Sequence, residues 1–468
     1  MNIAHLSGTE IIRAVASGRV SAVEVVTAHF VQIERLNPTL NAFVELRAEK
    51  AIAEASAQDE AAAAGRPRGP LGGLPVSIKS AIEVHGMLVE TGSPSRKGIV
   101  SARDAVCVAR LEAAGAIVLG ATNVADMLMG YESDNPLYGR TLNPWDLERT
   151  SGGSSGGESA AIAACCSAGG MGSDGGGSVR VPAHFTGICA LKPTPGRVPG
   201  TGHQPPCLGP FSLIGLVGPM ARTIDDLHAL FSAVAGWDTA DPMAVPISVT
   251  RLDAQPTNGF RVGFFDDDGR FPVTADTRAA IGRAAEGLAK SGYEVEGFRP
   301  AGLDRARELW DTFFCEVGLM ILKDPLKGAE LELPILKAFI ARGARPALTG
   351  MALTQAWIDR DVVRAGLLEQ MQMHRILVCP VSSAPAFRHG ERQWTIERRD
   401  VGYLDAMVYT QWFNILGNPA VVVPVGSSAD GLPIGVQVVG RPFEEELVLS
   451  VARAIERTCG GYRRPEWS

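Results

Sequence analysis

Residues 150–182 read TSGGSSGGESAAIAACCSAGGMGSDGGGSVRVP, and the rest of the chain is arranged around them. Two glycine-flanked serine segments, at 152–157 and 175–178, enclose an apolar run at 160–168 whose composition predicts a buried helix. Glycine lets a backbone approach a ligand closely and adopt positive φ, so main-chain N–H groups and serine hydroxyls can converge there. The stretch is therefore typical of an acyl-transfer site.

Composition indicates an ordinary globular protein. The chain has 468 residues, of which 46% are apolar and 20% charged, a balance that allows a sizeable core. The net charge is −7 and no five basic residues are consecutive, which argues against a nucleic-acid partner because phosphate binding needs clustered Lys and Arg. Residues 1–20 have neither a charged n-region nor a continuous apolar h-region, and no window approaches 18 uninterrupted apolar residues. We therefore expect no membrane association.

The cysteines indicate a reducing compartment. Eight of them occur without a CxxC pair. The adjacent Cys165 and Cys166 lie inside the apolar run, where free thiols pack as small hydrophobic groups. These features predict a cytoplasmic protein.

Helical patterns alternate with short apolar strands along the chain. Capping-box sequences at 7–10 and 21–24 predict two N-terminal helices. The alternation that follows predicts an α/β fold: a single large α/β/α domain over residues 1–468, with a mixed, mostly parallel central sheet flanked by helices. Apolar segments near the end of the chain are expected to complete the sheet. Residues of about 237–375 are then a mostly helical elaboration over its substrate side.

Two known patterns occur in the glycine-rich stretch without the context they need. Residues 152–156 satisfy GxSxG, the nucleophile elbow of α/β-hydrolases, but no buried strand precedes them, and His374 and His389 lie in no recognisable context for a general base. Residues 170–175 satisfy GxGxxG, but Pro182 blocks the helix that a dinucleotide site requires. Both interpretations are rejected.

The order of several motifs resembles the amidase signature family of serine hydrolases. The motifs are LPVSIK at 74–79, GGSSGG at 152–157, GSDGGGSVRVPAHFTGICALKPT at 172–194, GPMART at 218–223 and DGLPIGVQ at 430–437. The resemblance covers most of the chain and leaves 240–375 poorly matched. It implies the amidase signature fold and hydrolysis of a linear carboxylic amide, a small-molecule substrate.

The resemblance places the family's nucleophile at Ser178, its bridging serine, which follows a cis peptide bond, at Ser154, and its catalytic lysine at Lys79. The chemistry also follows from the residue types. Serine needs a base to remove its proton, and burial at the end of an apolar strand lowers the pKa of a lysine, so that neutral Lys79 can serve. Ser154 is then the candidate proton relay between Lys79 and Ser178.

Three glycines precede the candidate nucleophile. The N–H groups of Gly175, Gly176, Gly177 and Ser178 are expected to form an oxyanion hole for the carbonyl oxygen of the substrate. Gly175 stands where the family commonly has Thr, and Ser80 follows the lysine where the family usually has Asp. Neither difference removes a group from the chemistry, and we expect both to affect loop rigidity and the choice of acyl group.

Further polar residues are expected to support the site. Ser155 is predicted to hydrogen-bond to the triad, and Asp174 and Arg180 to form an ion pair that fixes the loop. His184 and His203 are interpreted as ordinary polar packing. No metal-ligand cluster occurs in the sequence, so we expect neither a metal nor an organic cofactor.

The substrate class and two alternative functions remain open in the sequence. The resemblance near 200–219 favours a hydrophobic acyl or aryl amide. Candidate pocket residues, which as a type more often belong to the core, are Met127, Met129, Trp310, Phe313, Phe314, Trp412 and Phe413. One alternative is an ammonia-releasing protein like the A subunit of glutamyl-tRNA amidotransferase; the other is a non-catalytic binding protein on the same scaffold. A homodimer is a candidate assembly.

Overall fold

A central sheet runs through the molecule. The computed structural model describes residues 2–322, 326, 334–343 and 348–466. Within these ranges the sheet has eleven strands. In chain order they are β1 Phe43–Leu46, β2 Pro75–Lys79, β3 Ile117–Thr122, β4 Gly169–Asp174, β5 Cys189–Lys192, β6 Leu216–Ala221, β7 Arg261–Phe264, β8 Glu294–Gly297, β9 Ile376–Pro380, β10 Ala420–Ser427 and β11 Pro433–Val439.

The spatial order of the strands is β1-β3-β2-β4-β6-β5-β10-β11-β9-β7-β8. Parallel pairs form two groups, β3-β2-β4 near one edge and β9-β7-β8 at the other. The other neighbours in this sheet are antiparallel. The predicted mixed sheet is confirmed, but parallel pairs are fewer than expected. One reason is that short turns join successive strands such as β10 and β11, which forces antiparallel pairing.

Helices cover both faces of the sheet, as the sequence predicted. In chain order they are α1 Gly8–Ala16, α2 Ala22–Leu40, α3 Ala48–Ala63, α4 Val106–Ala113, α5 Gly156–Ala163, α6 Arg180–Thr186, α7 Ile224–Val234, α8 Ala275–Lys290, α9 Leu303–Trp310, α10 Gly318–Leu322, α11 Pro334–Gly343, α12 Gly350–Gln370, α13 Val408–Ile415 and α14 Glu445–Cys459. One face carries α1, α4, α7, α8 and α14, and the other carries α2, α3, α5 and α6. In the described ranges, no helix is both long and apolar enough to cross a bilayer.

Alternating side chains on the strands build two apolar layers. In β3, Val118 packs in the layer of α4 and α7, whereas Ile117 and Leu119 pack with α2 and α3. In β9, Val378 belongs to the first layer and Leu377 to the opposite one. These strands are buried on both faces, which explains their continuous apolar sequences.

Both N-terminal helices begin with the predicted capping boxes. Ser7 Oγ accepts from the Glu10 N–H at 3.3 Å, and the Glu10 carboxylate accepts from the Ser7 N–H at 2.8 Å. Ser21 and Glu24 repeat the arrangement at 3.0 and 2.7 Å. The Asp226 carboxylate, in α7, accepts from two N–H groups at the start of α1 and so fixes that helix to its layer.

The segment 237–375 differs from the prediction in its first half. Strands β7 and β8 lie within it and form one edge of the central sheet, so this half extends the sheet rather than covering it. The described second half is helical: α9, a π-helical turn at Asp311–Val317, and α10 to α12, which form an apolar cluster with α13. Positions 323–325, 327–333 and 344–347 of the predicted elaboration lie outside the described residues.

Candidate active site

Two strand ends and two helix starts meet at the candidate site. Because β2 and β4 are parallel neighbours, their carboxyl ends lie side by side, with Lys79 ending β2 and Asp174 ending β4. Ser154 and Ser155 lie directly before α5, and Ser178 lies just before α6. The fold thus brings the two glycine-rich segments to the end of the LPVSIK strand.

Lys79 is fully buried among hydroxyl groups. Its Nζ donates to Ser154 Oγ at 2.7 Å, to Ser155 Oγ at 2.8 Å and to Ser173 Oγ at 3.0 Å. Burial lowers the pKa of Lys79 to about 7, although nearby carboxyl groups oppose this shift. A large fraction of the amine is therefore neutral near pH 7 and able to accept a proton.

Ser154 is held in place from its backbone. The peptide bond between Gly153 and Ser154 is cis. The Ser154 carbonyl accepts a hydrogen bond from Ser133 Oγ at 3.2 Å, and that hydroxyl in turn accepts from the Gly156 N–H at 2.7 Å. These contacts tie the turn to the start of α5 and keep the Ser154 hydroxyl beside Lys79.

Ser178 is half-buried and lines a cavity together with Ser154. Its carbonyl accepts a hydrogen bond from the Ser155 N–H at 3.2 Å, which joins the two glycine-rich segments. Among the described residues, the Ser178 hydroxyl has no hydrogen-bond partner. Catalytic hydrogen bonds often tighten only when a substrate binds, so this hydroxyl is available to a ligand.

The three glycines before Ser178 are packed too closely for any side chain. A Cβ atom built on Gly175 would lie 2.7 Å from Phe314, one on Gly176 would lie 2.6 Å from Trp310, and one on Gly177 would lie 2.4 Å from Thr410. Trp310 Nε1 also donates to the Gly175 carbonyl at 2.9 Å. Because a trans peptide directs its carbonyl and the following N–H to opposite sides, the Gly176 N–H points away from Trp310.

Gly177 corrects the predicted oxyanion hole. Its N–H donates to Asp174 Oδ1 at 2.7 Å and is therefore already paired. The same carboxylate also accepts hydrogen bonds from N–H groups at the start of α6. The Asp174 side chain is therefore held where the Gly177 N–H can also donate to it. Gly175, Gly176 and Ser178 remain as candidate N–H donors.

Asp174 and Arg180 form a buried ion pair. Arg180 Nη2 lies 2.9 Å from Asp174 Oδ1, and Nε lies 3.0 Å from Oδ2. Asn414 Nδ2 donates to the same carboxylate at 3.0 Å. Burial favours the neutral acid, but Arg180 and Asn414 outweigh it and hold the pKa of Asp174 well below its usual range. The pair fixes the loop that carries Ser178.

A second buried carboxyl, that of Glu158 in α5, raises the pKa of Lys79 through its charge. Its Oε1 accepts from Ser77 Oγ at 2.5 Å and its Oε2 accepts from Thr122 Oγ1 at 2.9 Å. Burial raises the pKa of Glu158 to about 8, although both hydrogen bonds and the charge of Lys79 favour the carboxylate.

A cavity lies beside Ser178. Its polar lining consists of Ser154, Ser173, Asp174, Ser178 and His203. Its remaining lining residues are apolar or lack polar side chains: Met127, Leu128, Met129, Gly175, Pro205, Phe211, Gly215, Leu216, Phe314, Gly318 and Leu322. A second, small apolar cavity shares Met129, Phe314 and Leu322 with the first. A serine hydroxyl thus lies at the polar end of an apolar pocket.

The model of the Amidase family matches residues 24–449. This chain belongs to the amidase signature family. It is 32% identical to an indoleacetamide hydrolase of Bradyrhizobium diazoefficiens over 98% of this chain and 88% of that one. It is also 32% identical to the A subunit of a glutamyl-tRNA(Gln) amidotransferase of Rhodopirellula baltica, over 98% of both chains.

A solved bacterial aryl acylamidase of the amidase signature family has the same fold, with a TM-score of 0.87 and 26% identity over 97% of this chain and 96% of that one. The protein is therefore an amidase-family enzyme that hydrolyses C–N bonds of amides.

Two polar groups of this amidase signature site were missed in the sequence. Ser173 contacts Lys79 directly, and Glu158 acts on its charge. Ser173 lies inside the GxGxxG pattern at 170–175, and nothing in that pattern indicates a contact between this serine and a lysine. Glu158 is the one charged residue of α5, and a lone charge in a buried helix is the signal that the sequence offers.

The predicted pocket residues divide into two groups. Met127, Met129 and Phe314 line the cavity. The others are core side chains that are at most 1% exposed: Trp310, Phe313, Trp412 and Phe413.

The two histidines also differ. His184 Nδ1 accepts from the Gly435 N–H at 2.8 Å in the packed interior, whereas His203 lines the cavity. The described residues contain no group of three His, Cys, Asp or Glu side chains that could hold a metal ion.

Proposed function

We propose that this amidase signature enzyme hydrolyses linear carboxylic amides with a hydrophobic acyl or aryl group, through an acyl-enzyme on Ser178. The observation that carries the proposal is the hydrogen bond from the buried Lys79 to Ser154, beside a cavity that Ser154 and Ser178 both line. The burial of Lys79 and Ser154 beside this cavity supports the roles of base for Lys79, relay for Ser154 and nucleophile for Ser178.

In the acylation step, Ser178 Oγ attacks the amide carbonyl carbon while its proton passes to Ser154, and the proton of Ser154 passes to neutral Lys79. A tetrahedral oxyanion forms. The C–N bond then breaks as the lysine returns its proton through Ser154 to the leaving nitrogen. Ammonia or an amine departs, and the acyl group remains on Ser178.

In the deacylation step, water takes the place of the amine. Ser154 and Lys79 again accept a proton, now from the water as it attacks the ester. They then return that proton to Ser178 Oγ as the carboxylic acid leaves. The N–H groups of Gly175, Gly176 and Ser178 are the proposed donors to the oxyanion in both steps, because Gly177 is paired with Asp174. The reaction as written needs neither a metal nor an organic cofactor.

The lining of the cavity supports an apolar acyl or aryl group. Met127, Met129, Phe211 and Phe314 offer thioether and aromatic surface. The indoleacetamide hydrolase and the aryl acylamidase to which the chain is similar both act, by name, on aryl compounds.

The test combines covalent labelling with turnover. Intact-mass spectrometry after treatment with a fluorophosphonate should show one adduct, and peptide mapping should place it on Ser178. The Ser178→Ala variant should take up no label and lose hydrolysis of an aryl amide such as phenylacetamide. A correctly folded Ser178→Ala preparation that still turns over the amide would refute the proposal, and a label on Ser154 would favour an elbow-type nucleophile. A Lys79→Ala variant should label far more slowly.

The second candidate is an ammonia-releasing protein of the amidotransferase type, because the A subunit of that enzyme is as similar in sequence as the indoleacetamide hydrolase. Glutamine carries a charged α-amino and α-carboxyl group, which call for free charged partners. The one charged side chain in the described lining, Asp174, is paired with Arg180. Glutaminase activity with a co-purifying second protein would support this candidate; hydrolysis of phenylacetamide but not glutamine would exclude it. If the wild-type protein hydrolyses neither phenylacetamide nor glutamine and takes up no fluorophosphonate label, the non-catalytic binding protein is the function that remains.

We also infer a reducing, cytoplasmic setting and a homodimer. All eight cysteines are free, and the adjacent Cys165 and Cys166 are buried without forming a disulfide. The homodimer rests on the family resemblance alone. Light scattering of the purified protein at two concentrations gives the mass that decides between one copy and two.

A further inference from the structure

His203 lies on a turn that is fixed beside the catalytic strand. The Gln204 N–H donates to the Ala81 carbonyl at 2.7 Å, and His203 forms an isolated β-bridge with Ile82. Both contacts lie within three residues of Lys79. The backbone of His203 is therefore fixed beside the catalytic strand, and the residue lines the cavity.

The hydrogen bonds of His203 identify its tautomer. Nδ1 lies 2.8 Å from the Pro205 carbonyl oxygen, which can only accept, so Nδ1 carries the proton. Cys207 Sγ, 3.4 Å from Nδ1, is then a second, weak acceptor. Burial lowers the pKa of His203 to about 4, and the ring is neutral at working pH. Nε2 is then a hydrogen-bond acceptor. It is buried and has no partner among the described residues.

The unpartnered Nε2 of His203 belongs to a residue whose neighbours in the cavity lining are mostly apolar. His203 is on the same segment as Pro205, Phe211 and Leu216, which form an apolar wall of the cavity. The serines that define the reacting end are on other elements. A buried acceptor loses its bonds to water, so a ligand that brings a donor to it gains an interaction that an entirely apolar ligand cannot make.

We propose that His203 Nε2 accepts a hydrogen bond from an N–H or O–H group on the apolar part of the substrate, and so selects aryl or heteroaryl amides that carry such a donor. The inference rests on the proposed function, because it takes this cavity as the place where the acyl or aryl group binds. His203 is in this role a specificity-determining residue and takes no part in the proton transfers.

The test measures kcat/KM for matched pairs of amides. Indoleacetamide is compared with its benzothiophene analogue, in which sulfur replaces the ring N–H, and hydroxyphenylacetamide with methylphenylacetamide. The wild type should prefer the donor-bearing member of each pair by about tenfold or more. His203→Leu should reduce the preference to near one, mainly by raising KM for the donor-bearing amide. Phe211→Leu is the matched control: it changes the same wall and should affect both members of a pair alike.

Two results would overturn the proposal: a wild-type preference near one, or a His203→Leu variant that loses activity equally on both members. Fluorophosphonate labelling of Ser178 in the same preparations separates this failure from failure of the proposed function, because a labelled enzyme without donor preference refutes the His203 role alone.

A measurement that leaves His203 in place covers the case in which His203→Leu does not fold. In Ser178→Ala protein with ¹⁵N-labelled histidine, indoleacetamide should shift the Nε2 resonance of His203, and the benzothiophene analogue should not. Equal shifts, or no shift at saturating indoleacetamide, would refute the hydrogen bond.

Discussion

Two buried lysines end strands that run in the same direction through the central sheet. Lys79 ends β2 and Lys192 ends β5, and both side chains are fully buried. Burial lowers the pKa of each amine to about 7. Judged by burial and pKa alone, the two lysines are equally suited to act as a base.

Their partners distinguish them. Lys79 donates to the hydroxyls of Ser154, Ser155 and Ser173, of which two line the cavity. Lys192 donates to the carbonyl of Pro193 at 2.8 Å, and a carbonyl has no proton to relay. Burial thus lowers the pKa of both lysines. Only Lys79 is a candidate base, because it also contacts hydroxyl groups that line the cavity.

The largest expected effect is the contrast between Lys79→Met and Lys192→Met. Methionine keeps the apolar stem in both places and removes the amine. We expect Lys79→Met to lower kcat/KM on the order of 10⁴-fold, because the nucleophile loses its base. Lys192→Met should stay within about tenfold, because it loses no member of the relay. Circular dichroism of both variants serves as the folding control, and equal losses in two folded variants would break the comparison.

A smaller effect is expected from the hydroxyls that hold Lys79. Ser155→Ala and Ser173→Ala each remove one acceptor of the ammonium while leaving Ser154 in place, and each should lower kcat about 10–100-fold. Ser167→Ala is the matched control, because this buried serine bonds to Ser77 at 2.8 Å and not to Lys79. A loss in the control as large as in the two variants would mean that the site responds to packing rather than to the lysine's partners.

The same comparison marks what could be predicted from sequence. VSIK and CALK are both apolar strands that end in lysine, and nothing in their composition says which lysine is the base. The motif order pointed to Lys79 through the family resemblance. The physical reason for the difference lies in contacts to serines that are 75 to 94 residues away along the chain. Such distant contacts have no local signal.

The fold shows the same division between local and distant information. The capping boxes and the apolar strands follow from neighbouring residues, and they are present as predicted. The strand order was not predictable, because β7 and β8 join the sheet edge through β9, a strand more than 70 residues further on. The pairing of the Gly177 N–H also escaped prediction, because it depends on where the Asp174 carboxylate is held by Arg180 and Asn414.

The pH dependence sharpens the comparison. Lys79 must be neutral to accept a proton, so kcat/KM should rise as pH increases through about 7 and fall below it. Glu158→Gln removes a carboxyl whose charge favours protonated Lys79, so this acid limb should move to lower pH. The shift should be small, because Glu158 itself has a pKa of about 8 and is mostly neutral at the limb. Glu49→Gln, at an exposed position on α3, should leave the limb unchanged.

A further effect is expected on stability, where the two lysines should behave alike. The unfolded chain binds a proton at each lysine below a pH of about 10.4, whereas the folded chain binds it only below about 7. Each buried amine therefore lowers the free energy of unfolding progressively as pH falls from about 10.4 to about 7, and adds no further loss below that. Lys192→Met removes this loss, so urea unfolding should show the variant gaining stability over the wild type at pH 7 relative to pH 10. Lys79→Met should gain in the same direction. If both variants differ from the wild type by an amount that does not change with pH, the two amines are not neutral in the folded protein. Lys79 would then be protonated at rest and could not accept the proton as proposed.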